Sequence, residues 1–327
     1  MAIYVPTIQT AQLLAGMLEA KTWSQLMAAG VLDQGELPPL AQGGDFVNIP
    51  RLNNVADFVR TDVTSGSSAS ATAAATNDAK AVVLRSHSLN SYTDYQEKSS
   101  GADISANLSR SVGEKVAKRA AQTMFYSMSG GIDAIDSPSA NCHTLDLGDA
   151  AVTVDKIRLA KYKMGDEADG LTTLVVHSAV WKDLLYDLIN NFKIDVLGGA
   201  VVINGKISGL IGVENIIVSD LVRTQNTGTG TTTDDRYDSF LLGSNSCYFG
   251  YQASPEVKVF NNITLVNDPT YLRVNMHFVT SPRGLAFGGS ASPADSDLYN
   301  AANWTQKVES HKEIKAVKII SNGAQNG

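Results

Sequence analysis

Ile104-Ser-Ala-Asn-Leu108-Ser-Arg-Ser-Val112-Gly-Glu-Lys-Val116-Ala-Lys-Arg-Ala120-Ala-Gln-Thr-Met124-Phe-Tyr-Ser-Met128 carries the strongest periodic signal in the chain. Ile104, Leu108, Val112, Val116, Ala120, Met124 and Met128 recur at every fourth residue, and Ala117, Ala121 and Phe125 widen the row into a stripe. Arg110, Glu114, Lys115, Lys118, Arg119 and Gln122 fall on the opposite side. Side chains three and four apart share one helix face, so the pattern predicts a single amphipathic helix of about 25 residues, about 38 Å long. Ser100 and Asp103 are candidate N-caps and Gly130-Gly131 is the expected stop. Taken alone, this is any long packing helix. Its neighbours decide what it packs against.

Downstream, Leu272, Val274, Met276 and Phe278 alternate with Tyr271, Arg273, Asn275 and His277, the period-two pattern of a half-buried strand. The preceding arm, with Val257, Val259 and Ile263 to Val266, joins it through Asn267-Asp268-Pro269, giving a long hairpin over 256–280 whose apolar face suits the helix. Upstream, Phe46-Val-Asn-Ile49 reads as a strand ended by Pro50. Lys80 to Tyr95 reads as a second extended run with Val82, Leu84, Leu89 and Tyr92. Between them, residues 63–79 are small and polar with almost nothing to bury. Two strands around such a tip form a hairpin that is marginal alone and needs a surface, most simply a neighbouring subunit.

Before that hairpin, Leu13, Leu14, Met17, Leu18, Trp23, Leu26 and Met27 give residues 7–29 a helical pattern, with Gly30 as its stop. Residues 151–222 alternate helix and strand. A short helix from Val154 to Lys163 has Ile157 and Leu159 inward, Leu171 to Val176 is a buried strand, and Ser178 caps a helix bearing Val180, Trp181, Leu184, Leu185, Leu188, Ile189 and Phe192. Strand runs at Val201–Ile207, with an Asn204-Gly205 turn, and at Ile216–Val218 complete a compact α/β unit. Thr224 to Asp235 is an exposed loop, and Phe240–Leu242 and Cys247–Phe249 are further strand runs.

Composition narrows the chemistry. The 327 residues are 43% hydrophobic and only 18% charged, against roughly 25% charged in an average soluble domain. Such a surface suits partners that cover much of it. A net charge of −7 argues against gripping nucleic acid through clustered cations, although a mildly acidic wall can enclose it. Met1-Ala-Ile-Tyr-Val-Pro6 lacks the basic region and apolar core of a signal peptide, and no apolar run approaches a membrane span. Synthesis in the cytoplasm and no membrane partner are therefore expected.

No catalytic, cofactor-binding or metal-binding residues are expected. Gly165-Asp-Glu-Ala-Asp-Gly170 has the letters of a helicase motif but no phosphate loop accompanies it, and Gly228 and Gly230 lack the following Lys and helix. His87, His143, His177, His277 and His311 show no metal-like spacing, Cys142 and Cys247 read as buried reduced thiols, and Cys142 adjacent to His143 is poor geometry for a nucleophile–base pair. Asp133 and Asp136 read as a solvated loop rather than a cation site.

The order of these parts resembles the major capsid proteins of tailed bacteriophages with the Hong Kong 97-type fold, an α+β class. Leu174-Val-Val-His-Ser-Ala-Val-Trp-Lys-Asp-Leu-Leu185 is similar to that family's strand-then-helix segment of the axial domain. Gly209-Leu-Ile-Gly-Val-Glu-Asn-Ile-Ile-Val-Ser-Asp220 is similar to the stretch that follows it. The resemblance implies an N-terminal arm over 1–40, an extended E-loop hairpin over 41–98, a spine helix of the peripheral domain over 99–150 and an axial domain over 151–250. Peripheral-domain strands over 251–283 and a C-terminal extension over 284–327, with Leu298, Trp304 and a strand-like Ile314 to Ile320, complete it. The extension is expected to pack on its own subunit or a neighbour.

What the resemblance implies functionally is a virion shell protein, not an enzyme. It would self-assemble as pentamers and hexamers into an icosahedral head around double-stranded DNA, with a portal and a separate scaffolding protein as partners. Glycines 30, 43, 44, 130 and 131 would serve as joints. The family's covalent cross-link is not expected, since Lys80 has no matched acceptor. An encapsulin-type compartment is the alternative, with a surface protein or an unrecognised enzyme more remote.

Overall fold

The computed structural model describes residues 8–33, 44–52, 76–101, 103–136, 142–191, 212–226, 235–261, 269–308 and 310–323. The low-complexity tip up to Ala75, the Val201–Ile207 run with Asn204-Gly205, Gly43, Phe192 and the Asn267-Asp268 turn lie outside them. The N-terminal pattern forms two helices, α1 (Ile8–Glu19) and α2 (Lys21–Ala28), broken at Ala20, whose backbone is extended. Leu13, Met17, Trp23 and Leu26 are buried, whereas Leu14, Leu18 and Met27 face outward. Gly30 turns the chain in the left-handed region at φ +66°, as the expected stop requires.

β1 (Leu32–Asp33), β2 (Phe46–Leu52) and β3 (Thr76–Tyr92) follow. The second extended run is therefore longer at its start than expected and ends before Tyr95, which lies in α3 (Asp94–Ser100). Thr93 and Gln96 form a reciprocal capping box for α3, an N-terminal signal that fixes it independently of packing. Ser100 thus belongs to α3, and the long helix α4 (Ile104–Asp136) is capped by Asp103, whose Oδ1 accepts from the Ala106 N–H at 2.9 Å.

α4 has 33 residues, about 50 Å, and runs straight through Gly130-Gly131. The expected stop is corrected for a physical reason. A Cβ on Gly130 would overlap the Leu298 carbonyl oxygen, and one on Gly131 would overlap the Leu285 side chain. These glycines let the C-terminal segment press onto the helix, and neither adopts a positive φ. The same device operates near the other end, where a Cβ on Gly113 would strike the Leu13 carbonyl oxygen and one on Gly16 the Arg110 carbonyl oxygen. α1 and α4 therefore cross backbone to backbone, with the Arg110–Glu19 ion pair beside the crossing.

Beyond α4 come β4 (Thr144–Asp146), α5 (Val154–Lys161), a 3-10 turn over Tyr162–Gly170, β5 (Leu171–Val176), α6 (Ser178–Asn191), β6 (Asn215–Val218), β7 (Thr224–Asn226) and β8 (Asp235–Gly243). β9 (Cys247–Asn261), β10 (Thr270–Pro282), β11 (Leu285–Phe287), α7 (Asp295–Leu298), β12 (Trp304–Gln306) and β13 (Ala316–Asn322) complete the chain. Three local expectations change. The first residues of the Thr224–Asp235 stretch, read as loop, form β7 and pair with β8. Leu159 faces solvent while Ile157 is buried. Ser178 is the first residue of α6, and the helix is capped from outside: His177 Nδ1 accepts from the Ala179 N–H, and Asp220 Oδ1 accepts from the Ser178 N–H.

The first sheet has the order β1-β9-β10-β3-β2. Its inner face, with Leu84, Val257, Leu272, Val274, Met276 and Phe278, packs in one core with Val112, Val116, Ala120 and Met124 of α4. β3 pairs with β2 over Thr76–Val82 and with β10 over Val83–Tyr92. One strand of 17 residues, about 56 Å, thus carries the hairpin out of the sheet. Ile49, Ala79, Ala81, Val83, Tyr248 and Val279 form a small core where it leaves.

The second sheet has the order β4-β13-β8-β5-β6, with β7 also on β8. Alternation sends Leu174, Val176, Leu241, Val317 and Ile319 toward α5 and α6, and Val175, Phe240, Leu242 and Ala316 toward α4. The C-terminal extension is accordingly part of this subunit. Trp304 Nε1 donates to the Leu298 carbonyl at 2.7 Å, and β13 lies between β4 and β8.

The same alternation places Lys318, wholly buried, on the α4 side. Its ammonium is paired with Asp133 and lies 3.5 Å from Ser129 Oγ. Asp238, also buried, accepts from Ser129 Oγ at 2.7 Å and from Gln225 Nε2 at 2.6 Å. Burial pushes the Asp238 carboxyl up, and Lys318 opposes that rise.

Two outcomes test this architecture. Gly113→Val forces the crossing helices apart, and thermal unfolding of dissociated subunits should show a loss of about 1–3 kcal/mol or more. Unchanged stability would remove the close crossing. Lys318→Met removes the cation nearest the buried Asp238 carboxyl and the partner of half-buried Asp133, and should cost about 3–5 kcal/mol. Adding Asp238→Asn should return part of that loss in a double-mutant cycle.

Candidate functional site

Three surfaces stand out from the residues upward. On α1 and α2, Leu18 is 73% exposed, with Leu14 and Met27 also open. They lie on the side of these helices away from Leu13, Met17, Trp23 and Leu26, which face the core. On the outer face of the first sheet, register puts Arg273 between Leu89 and Lys258, and Tyr271 between Ser91 and Phe260. Phe260 and Tyr271 stack at 5.3 Å, and exposed Leu89 and Phe260 make this face apolar between cations. Isolated exposed apolar residues are ordinary, but grouped ones on two separate elements mark contact surfaces.

The third surface is an edge. β2 pairs only with the Thr76–Val82 half of β3, so among the described residues nothing pairs with the outer edge of β3 from Leu84 to Tyr92. Beside that edge, a groove of about 470 Å³ runs between β3 and α4. Its floor is Val112, Val116, Val274 and Met276, and Arg85, Lys115 and Arg119 stand on its rim. Arg85 is held by Asp45 at 2.7 Å, and Arg119 by Asp295 through two hydrogen bonds at 2.8 and 2.5 Å. An unpaired edge offers backbone hydrogen bonds to an incoming strand, and the apolar floor offers a seat for its side chains.

The residues weighed for chemistry fall elsewhere. Asp133 is the partner of Lys318 and Asp136 ends α4, so neither is in a solvated loop. In the Gly165–Gly170 stretch, Asp166 pairs with Lys312 and Asp169 lies 3.6 Å from Lys161. It is a tethered turn, with Gly165 at φ +60°. Gly228 and Gly230 lie outside the described residues. Cys247 is fully buried and pushed up to about 12 by burial. His177 stacks on Tyr237 at 4.2 Å, and burial holds its pKa down. His87 and His277 sit on the outer face of the first sheet, opposite Asn275 and Arg85. Lys80 lies over the Phe46 ring at 3.8 Å, in the paired part of the hairpin.

Sequence spacing missed one cluster. Cys142, His143 and His311 come together although His311 is 168 positions from His143. Periodicity has no means of pairing residues so far apart. Among the described residues no helix is long and apolar enough to cross a membrane.

Residues 39–317 match the family model of Gp13-like proteins, described as major capsid protein 13-like. The chain is 24% identical over 294 residues to the major capsid protein of Bacillus phage SPP1, covering 85% of this chain and 84% of that one. Its fold is similar to the capsid of Ralstonia phage GP4, with TM-score 0.64, 9% identity and 92% of each chain covered. It is also similar to a structure from Microbacterium phage Oxtober96, with TM-score 0.56, 12% identity and 90% of each chain covered.

Leu18→Glu and Phe260→Glu change exposed side chains and should leave circular dichroism and subunit stability within about 0.5 kcal/mol of the parent. Both should sharply reduce the sedimenting, assembled fraction. Full assembly by both variants would remove these two patches as contacts.

Proposed function

Since this chain belongs to the Gp13-like family of major capsid proteins and has the Hong Kong 97-type fold, we propose that it forms an icosahedral phage head from pentamers and hexamers around double-stranded DNA. The observation that carries this reading is one subunit with a rigid body and a projecting arm. α4 is clamped between two sheets, while β3 continues past its own sheet into the hairpin with β2. In this reading the hairpin, over 41–98, reaches a neighbouring subunit. The spine and first sheet, over 99–150 and 251–283, abut neighbours around a ring. The α/β unit over 151–250, completed by β13 from the C-terminal extension, lines the capsomer axis.

Closed symmetry lets modest contacts suffice, because each subunit is held on several sides at once. The exposed apolar groups and the bare β3 edge supply such contacts. The net charge of −7 keeps the wall from binding DNA tightly, so packaged duplex can be enclosed without being gripped. The role is structural rather than catalytic, in the virion after synthesis in the host cytoplasm, with a portal and a separate scaffolding protein as partners. The family match to major capsid proteins displaces the encapsulin-type alternative.

Negative-stain electron microscopy of the purified protein, with nuclease-protected DNA assayed on native particles, tests the reading. Closed shells with protected long duplex are expected. Closed shells that copurify with a cargo enzyme and no DNA would favour a nanocompartment. A uniform monomer or dimer across salts and concentrations would overturn the shell role.

A further inference from the structure

The cluster at the far end of α4 has the composition and geometry of a metal site. His143 follows the end of α4 into β4, and its ring is fully buried. Its Nδ1 lies 2.7 Å from the Ala316 carbonyl oxygen. A carbonyl only accepts, so Nδ1 carries the proton and Nε2 presents a bare lone pair. That lone pair faces His311 Nδ1 at 3.0 Å, with the two rings edge to face at 5.1 Å. The Cys142 sulfur completes the group, and the three ligand atoms all lie within 4.8 Å of one another.

One small ion would draw these atoms together, with the Cys142 sulfur, which lies within 4.8 Å of both nitrogens, moving in toward them. Two nitrogens bound at about 2.05 Å with a tetrahedral angle lie about 3.3 Å apart, and a nitrogen and a thiolate sulfur about 3.5 Å. An adjustment of a few tenths of an ångström opens the His143–His311 pair to that distance. The His143–Ala316 hydrogen bond is the arrangement that orients a metal-bound imidazole from its other nitrogen. Asp136 lies beside the group. It is 9% exposed, its Oδ1 accepts from the His143 N–H at 2.7 Å, and its carboxylate accepts from the Cys142 thiol. Its charge lies beside the Cys142 thiol, which burial and this carboxylate together push up.

We propose that Cys142 Sγ, His143 Nε2 and His311 Nδ1 bind a zinc-class transition-metal ion and leave its fourth position open. Binding exchanges the thiol proton for the metal, so the sulfur enters as thiolate and one proton leaves to solvent. His311 moves its proton from Nδ1 to Nε2, and His143 keeps its own on Nδ1. The mixed sulfur and nitrogen set selects zinc or cobalt over magnesium and calcium, which favour oxygen. The ion would tie the end of α4, the start of β4 and the approach to β13 at one point. The site does not depend on the shell reading, and its test reads the subunit alone.

The probe is cobalt(II), added to full-length subunits stripped by a chelator. One cobalt per subunit and a thiolate-to-cobalt charge-transfer band are expected, and zinc should displace them. The band should vanish in Cys142→Ser and weaken or vanish in His311→Gln, but persist in Cys247→Ala. Absence of the band in the parent protein, or its survival in Cys142→Ser, would overturn the site. Circular dichroism of each variant separates loss of the ligand from loss of the fold.

Discussion

Backbone contact along α4 is the constraint on which the other elements depend. Gly113 admits α1 and Gly130 admits the Leu298–Tyr299 turn, each to a distance that any side chain would block. Between them Ala117, Ala120 and Ala121 are wholly buried, so large partners can close on the helix from several directions. Val112, Met124, Phe125, Met128 and Ile132 then fill the gaps, each contributing about 1.5–3 kcal/mol by burial. Small residues set the distances and large ones supply the cohesion. A helix of uniformly large residues would hold its neighbours further out and break the continuity between the two sheets.

Orientation about α4 needs something more directional than burial. Apolar packing tolerates slippage, whereas a buried ammonium does not, because an unpaired charge inside is far costlier than a displaced methyl group. Lys318 meets Asp133 and Ser129 only when β13 lies in register against the last turns of α4. Asp238 and Gln225 extend that requirement to β8 and β7. Buried ionic groups are weak sources of net stability and better devices for fixing register. Here the device sits where the second sheet joins the spine.

Legibility in the sequence follows the range of the interactions. The four-residue row of α4 and the two-residue alternation of β10 are local, and both elements stand where the periodicities put them. The Leu171–Val176 strand and the helix after Ser178 are equally readable. Gly130-Gly131 misleads because glycine has two uses, as a helix stop and as a close-packing surface, and only the tertiary partner at Leu298 separates them. The break at Ala20 is silent because alanine favours helix and no side chain caps α2. Leu159 faces outward because the buried stripe of α5 is Val154, Ile157 and Ala160. Nothing local links β13 to β8, or His311 to His143 and Cys142. The candidate contact surfaces are half legible: apolar residues can be counted, but not which face of the sheet holds them.

Rigid interior and permissive exterior are two sides of one arrangement. A long strand edge left open is an aggregation hazard for a solitary protein, which ordinarily covers it or places charge on it. β3 leaves its edge without a strand partner from Leu84 to Tyr92 among the described residues, beside a groove with an apolar floor. Cations at Arg85, Lys115 and Arg119 guard the rim without closing it, and two of them are already held by carboxylates of their own chain. Such an edge admits a neighbour and penalises indiscriminate collapse, because an incoming strand must also satisfy the rim. Selectivity of that kind is compatible with weak individual contacts. A subunit whose core is fixed by backbone crossings and a buried ion pair can present the same edge repeatedly, and repetition of one geometry is what closes a shell.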